Sequence, residues 1–81
     1  MNSTRISRTK AVELITNSKG KFFTVRFKKA NGDDRTINGN FKSVTPLGYI
    51  RVNSLKDRQI RNVNTQSITG LSISGNTYKV R

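Results

Sequence analysis

Apolar residues follow two different rhythms along this chain. In RTKAVELITNSKG, Ala11, Leu14 and Ile15 recur at the spacing that lines one face of a helix, with Val12 beside them. Thr9 is a candidate N-cap, and Asn17, Ser18 and Gly20 supply a stop, which predicts one short helix over about residues 9–18. From Lys21 the period drops to two. In KFFTVRFKK, Phe23, Val25 and Phe27 fall on one side of a strand, and Phe22, Thr24, Arg26 and Lys28 on the other.

The remaining pattern is a series of short strands separated by turn residues. Asn31-Gly32 in ANGDD favours the positive φ angles of a tight hairpin. RTINGNF is the second strand, in which Gly39 marks a bulge or sharp bend. KSVTPLG, with the sole proline Pro46, reads as a loop, YIRVNSL as a third strand and QIRNVN as a fourth, with Ile60 and Val63 on opposite faces. In GLSISGNTYKV, Leu71 and Ile73 precede a Gly75-Asn76 turn and Tyr78 and Val80 follow it, a second hairpin signal.

Together these elements predict a mainly β fold, a small, strongly bent barrel of five or six short antiparallel strands with one short N-terminal helix plugging its open end. Residues 1–8 read as a basic flexible tail and 9–81 as a single domain. In such a barrel Phe23, Val25 and Phe27 face inward and Arg26 and Lys28 outward, which leaves Phe22 for the helix or for a protein contact.

Composition sharpens the picture. An 81-residue chain with 32% hydrophobic residues has a small core, and folding buries only about 60% of its unfolded surface. Lys and Arg number 16 against 4 Asp and Glu, a net charge of +12. Self-repulsion of that size opposes compaction, so the excess is expected to serve an anionic partner. Cysteine and histidine are absent, which removes disulfides and the usual zinc ligands. The basic start lacks an apolar stretch behind it and no long apolar run occurs, so neither a signal peptide nor a membrane helix is predicted, and an intracellular, reducing compartment is expected.

Two stretches carry a family resemblance. AVELITNSKGKFFTVRFKKANGDDRTING, a short helix followed by a strand and a hairpin, resembles the small Sm-like, SH3-like β-barrels grouped with the WYL domains of phages and prophage-rich bacteria. RQIRNVNTQSITGLSISGNTYKV is similar to the closing strands of that family. Where members often carry a Cys-Arg pair and a basic, Gly-containing loop, this chain has Gly39-Asn40 and the less basic KSVTPLG. The resemblance implies an SH3-like or Sm-like barrel, a binding module for nucleic acid or nucleotide-like ligands, and work in the cytoplasm of an infected bacterial cell.

The residues themselves speak against catalysis, since acid-base chemistry needs tunable groups and the chain offers no histidine and four carboxylates. Asp33 and Asp34 belong to the turn, Glu13 is expected to pair with Lys10 or Lys19, and Asp57 with Arg58 or Lys56. No phosphate-binding glycine motif is present and no cofactor is expected. Nucleic-acid binding needs cations for phosphates and rings for unpaired bases. Arg26, Lys28 and Arg35 lie around the first hairpin, Arg51 and Arg61 interrupt later strands, and Lys29 and Lys42 extend a shared outer surface. Arg5, Arg8 and Lys10 would form a mobile arm along the backbone or in a minor groove. Tyr49 and Tyr78 are the best ring platforms, ahead of Phe22 and Phe41.

The sequence therefore predicts a non-enzymatic nucleic-acid-binding barrel, monomeric or a small homo-oligomer, that coats nucleic acid or modulates transcription. DNA is placed ahead of RNA, and duplex or shape-based contact ahead of single-strand reading. The alternatives are a regulator that binds a host polymerase or nuclease, and an oligomer holding a nucleotide. No membrane partner is expected.

Overall fold

A computed structural model describes residues 3–80. The elements run β1 (Ser3–Ile6), α1 (Arg8–Thr16), β2 (Phe22–Lys28), β3 (Asp34–Val44), β4 (Tyr49–Ser54), β5 (Ile60–Asn64), a 3-10 turn (Thr65–Ser67), β6 (Ile68–Ile73) and β7 (Asn76–Val80). The fold is mainly β, with one short helix and seven strands in a single sheet of order β1-β7-β6-β2-β3-β4-β5. All neighbours are antiparallel except β1 and β7.

The strand count exceeds the expected five or six because Ser3–Ile6, read from sequence as flexible tail, pairs in parallel with β7. Four residues are too few to show a convincing alternation, and their partner lies at the other end of the chain. The first two residues of that tail, and Arg81, lie outside the described residues.

α1 begins one residue earlier than predicted. Ser7, not Thr9, is its N-cap: it is extended, and its Oγ accepts a hydrogen bond from Lys10 N at 3.1 Å. Asn17 caps the other end, Ser18 Oγ donates to the Ile15 carbonyl at 2.6 Å, and Lys19 and Gly20 turn the chain with positive φ. The helix lies against β3 and the 3-10 turn and sinks Ala11 and Ile15 completely, with Val12 and Leu14 half-buried at the rim.

The strands meet that helix with one face. Phe23, Val25 and Phe27 are buried, as their alternation predicts, while Arg26 and Lys28 stay exposed. Val25 stands between Ile37 on β3 and Leu71 on β6, and Ile50 pairs with Val63 across β4 and β5. These residues, with Val52, Ile68 and Ile73, form one continuous core.

β3 is what bends the sheet. Its first part, Asp34 to Asn40, pairs with β2, and its second part, Gly39 to Val44, pairs with β4. The strand therefore changes partners at Gly39 and Asn40. Here β4 comes so near that a Cβ on residue 39 would lie 1.8 Å from the Asn53 carbonyl oxygen, so only glycine fits. The register irregularity with β4 falls later, between Phe41 and Ser43, so Gly39 marks the bend and not the bulge. The predicted loop KSVTPLG shrinks accordingly, because Lys42, Ser43 and Val44 continue β3.

Two turns also differ in detail. Only Gly32, not Asn31, has positive φ, and the β2–β3 connection is closed by Lys29 N donating to Asp33 O at 2.8 Å. The Asn31 side chain braces it, accepting from Asp33 N at 3.0 Å. In the last hairpin Ser74 and Gly75 occupy the turn, both with positive φ, and Asn76 already belongs to β7.

Gly39→Ala is expected to cost about 3 kcal/mol of stability, since backbone must move to admit the methyl group. Gly70→Ala, whose added carbon would meet nothing nearer than Arg26 Cβ at 3.6 Å, should change stability by less than about 1 kcal/mol. Urea denaturation midpoints of the two variants measure the contrast.

Candidate nucleic-acid interface

Pairing across the sheet sets the basic residues in rows. On the outer face Arg26 of β2 stands opposite Thr36 on β3 and Gly70 on β6, Gly70 opposite Lys79 on β7, and Lys79 opposite Arg5 on β1. Gly70 has no side chain to separate Arg26 from Lys79. Thr24, Ser72 and Thr77 form the neighbouring row, so the face is hydroxyl-rich. Arg5, Arg26, Lys28 and Lys79 border a shallow depression of about 760 Å³ on it.

A second depression, of about 670 Å³, opens between the β2–β3 hairpin and β5. Lys28, Lys29 and Arg35 come from the hairpin, Tyr49 from the start of β4, Arg61, Asn62 and Asn64 from β5, and Ser67 from the 3-10 turn. Phe27 and Ile37 lend it an apolar component. Lys28 lines both depressions, so the two basic surfaces meet at the hairpin.

Tyr49 is held by its backbone. Its N–H donates to Thr45 Oγ1 at 3.2 Å, its carbonyl accepts from Thr45 N at 2.8 Å, and the preceding Gly48 carbonyl accepts from Thr65 N at 3.1 Å. The β3–β4 turn and the 3-10 turn therefore clamp the root of the side chain, which is 37% exposed. Asn64 caps the 3-10 turn, its Oδ1 accepting from Gln66 N at 2.9 Å.

Arg61 departs from expectation. The pleat sets it opposite Val52, on the core side of the sheet, whereas Arg51 stands opposite Asn62 on the outer side, so the two do not share a surface. Arg61 Nε donates to Asp57 Oδ2 at 2.8 Å and Nη2 donates to the same oxygen. Asp57 thus pairs with Arg61 and not with Arg58 or Lys56, because four residues around a turn bring the two side chains together. Hydrogen bonds from the Arg61 guanidinium, foremost, hold the Asp57 carboxyl below the usual carboxylate range, against partial desolvation.

The other predicted residues disperse. Arg51, opposite Asn62 on the outer side, and Lys42, in the β3–β4 irregularity, both lie outside the two depressions. Of the supposed mobile arm, Arg5 is fixed in β1, while Arg8 and Lys10 belong to the first turn of α1, where Lys10 Nζ lies 3.1 Å from Glu13 Oε1. Arg8 lines a separate surface dip with Ser7, Thr9 and Gln66. Tyr78 and Phe41 pack half-buried on the core, and Tyr78 also lines the sheet-face depression. Phe22 is 60% exposed and not covered by the helix, and it shares a groove with Leu55.

Lys79, Asn62, Asn64 and Ser67 are residues that sequence reasoning passed over. Alternation beside Tyr78 and Val80 is the signal that could have set Lys79 on an outer face, but only the β6–β7 and β1–β7 pairings put it between Gly70 and Arg5. Among the described residues no group of three or more His, Cys, Asp or Glu could hold a metal ion, and no helix is long and apolar enough to cross a membrane. No family model, curated protein or solved structure matches the chain.

Because the folded-state pKa of Asp57 lies below its ordinary value of 3.8, the pairing contributes stability that is full above that pH and is lost as pH falls through the folded pKa. Thermal melts of the wild type and Asp57→Asn should therefore differ at neutral pH, and the difference should start to shrink as pH falls past 3.8 and vanish only below the depressed folded pKa.

Proposed function

We propose that this protein is a non-enzymatic nucleic-acid-binding module that coats nucleic acid or modulates transcription. The observation that carries the reading is the junction at Lys28, through which Arg5, Lys79 and Arg26 on the sheet face join Lys29 and Arg35 at the groove. Four acids in the whole chain cannot offset such a band: Glu13 and Asp57 have cationic partners elsewhere, and Asp34, opposite Lys28, sets a single carboxylate among the cations of the sheet face. Displacement of condensed counterions from phosphates then supplies the driving force. Kinship with the WYL-related small barrels, and work in the cytoplasm of a phage-infected cell, belong to the same proposal.

A second reading has its own support. Phe22 and Leu55, 60% and 52% exposed, line one groove near the β6–β7 turn, and such a pair suits a protein partner, such as a host polymerase or nuclease. A stoichiometric partner retained from a nuclease-treated host lysate by the wild type, and lost with Phe22→Ser, would favour it over the first.

For nucleic acid, the logarithm of the binding constant should fall linearly with the logarithm of salt concentration. Arg26→Ala, Lys28→Ala and Lys79→Ala should each flatten that slope by roughly 0.7–0.9, and Lys42→Ala, outside both depressions, should leave it unchanged. Fluorescence anisotropy at several salt concentrations reads the slopes, and affinity indifferent to salt would remove the proposal.

A further inference from the structure

The two basic depressions are chemically unlike. The sheet face offers mainly cations and hydroxyls, with Leu71, half-buried Tyr78 and Val80 also lining it, which suits a phosphate backbone. The groove between the hairpin and β5 adds the exposed ring of Tyr49 and the amides of Asn62 and Asn64. A backbone has no use for these, whereas a base has a face to stack and an edge to hydrogen-bond. Resting on the nucleic-acid reading above, we infer that this groove takes one unpaired nucleotide of a single-stranded segment.

Each part has its place. Tyr49 is the platform, and the clamp on its backbone from Thr45 and Thr65 holds the root of its side chain in place before binding. Asn64 spends Oδ1 on capping the 3-10 turn, which leaves its Nδ2 as a donor, and Asn62 brings both a donor and an acceptor to the same strand. Lys28, Lys29 and Arg35 on the hairpin side meet the phosphate of that nucleotide. Arg61, tied by Nε and Nη2 to Asp57, keeps further N–H groups and a planar face for the ligand.

A volume of about 670 Å³ lies within the ordinary range of small-ligand clefts. A base inside a duplex cannot present its face to Tyr49 without leaving the stack. The groove also leads through Lys28 onto the Arg26 and Lys79 face, which gives flanking phosphates a track. That continuity assigns the site to a unit of a strand in preference to a free nucleotide.

The test compares a labelled short oligothymidylate with a blunt duplex of the same length, using wild type and Tyr49→Ala. Loss of the ring should weaken single-strand binding about tenfold or more, with the salt slope and the duplex affinity kept, because stacking is not an ionic contact. Tyr49→Phe should retain wild-type affinity. Should Tyr49→Ala fail to fold, ring resonances of Tyr49 in the intact protein serve instead, and they should move upfield when oligothymidylate is added. Equal losses for strand and duplex, or an unaffected strand with unmoved ring resonances, overturn the inference while leaving the nucleic-acid reading in place. Thymidine monophosphate competing as well as the strand, with the same Tyr49 dependence, overturns the strand assignment. Wild-type protein that binds neither polymer removes the functional reading and the inference together.

Discussion

The close approach of β4 to β3 at Gly39 is the contact on which the rest of the molecule turns. A single long strand serves two neighbours in succession, and the exchange is possible only where no side chain keeps the backbones apart. Phe23, in register with Gly39 on one side and Ile73 on the other, has no side chain opposite it on β3. The bend lets a thin chain wrap its apolar faces around Ala11 and Ile15 of the helix, giving one core to a chain whose hydrophobic content is only 32%.

Function in this fold follows from what the bend leaves outside. The outer face of β2 and its neighbours is polar because its inner face is committed to the core, and the cations on it are gathered by register and not by proximity in sequence. At the edge strand β5 the same pleat sets Arg61 on the core side of the strand, yet its side chain stays 41% exposed. Asp57 holds the guanidinium there, and so fixes a planar cation in the lining of the groove. Most of the chain's other cations have no acid to meet, since the chain holds only four.

How much of this could be read from the sequence depends on how local each feature is. Phe23, Val25, Phe27 and the helix stripe were legible because burial imposes its period directly on the chain, and the turns at Gly32 and Gly75 because positive φ selects glycine. The N-cap was misplaced since Ser7 and Thr9 are both suitable residues, and only the helix start distinguishes them. The neighbourhood of Lys28, Lys29 and Arg35 was legible because one hairpin carries them, whereas Tyr49 joins them only in the fold, and the core-side place of Arg61 was obscured because QIRNVN alternates impurely. Lys79 and Arg5 were beyond reach, as their neighbourhood is created by pairings that span nearly the whole chain.

That span has a kinetic meaning. Most antiparallel partners here are joined by short connections, but β1 meets β7 only after some seventy intervening residues have found their places, since Ile6 is aligned with Val80. Contacts of such separation close a large loop for a return of four residue pairs, so this seam is the natural last step of assembly and the first to fray. While it is open, Arg5 is withdrawn from its row and the rim of β7 lies bare for another strand to zip against. Docking of Ser3–Ile6 on that rim therefore moves the free edge of the sheet from β7 to the four-residue β1 at the same moment that it finishes the cationic row.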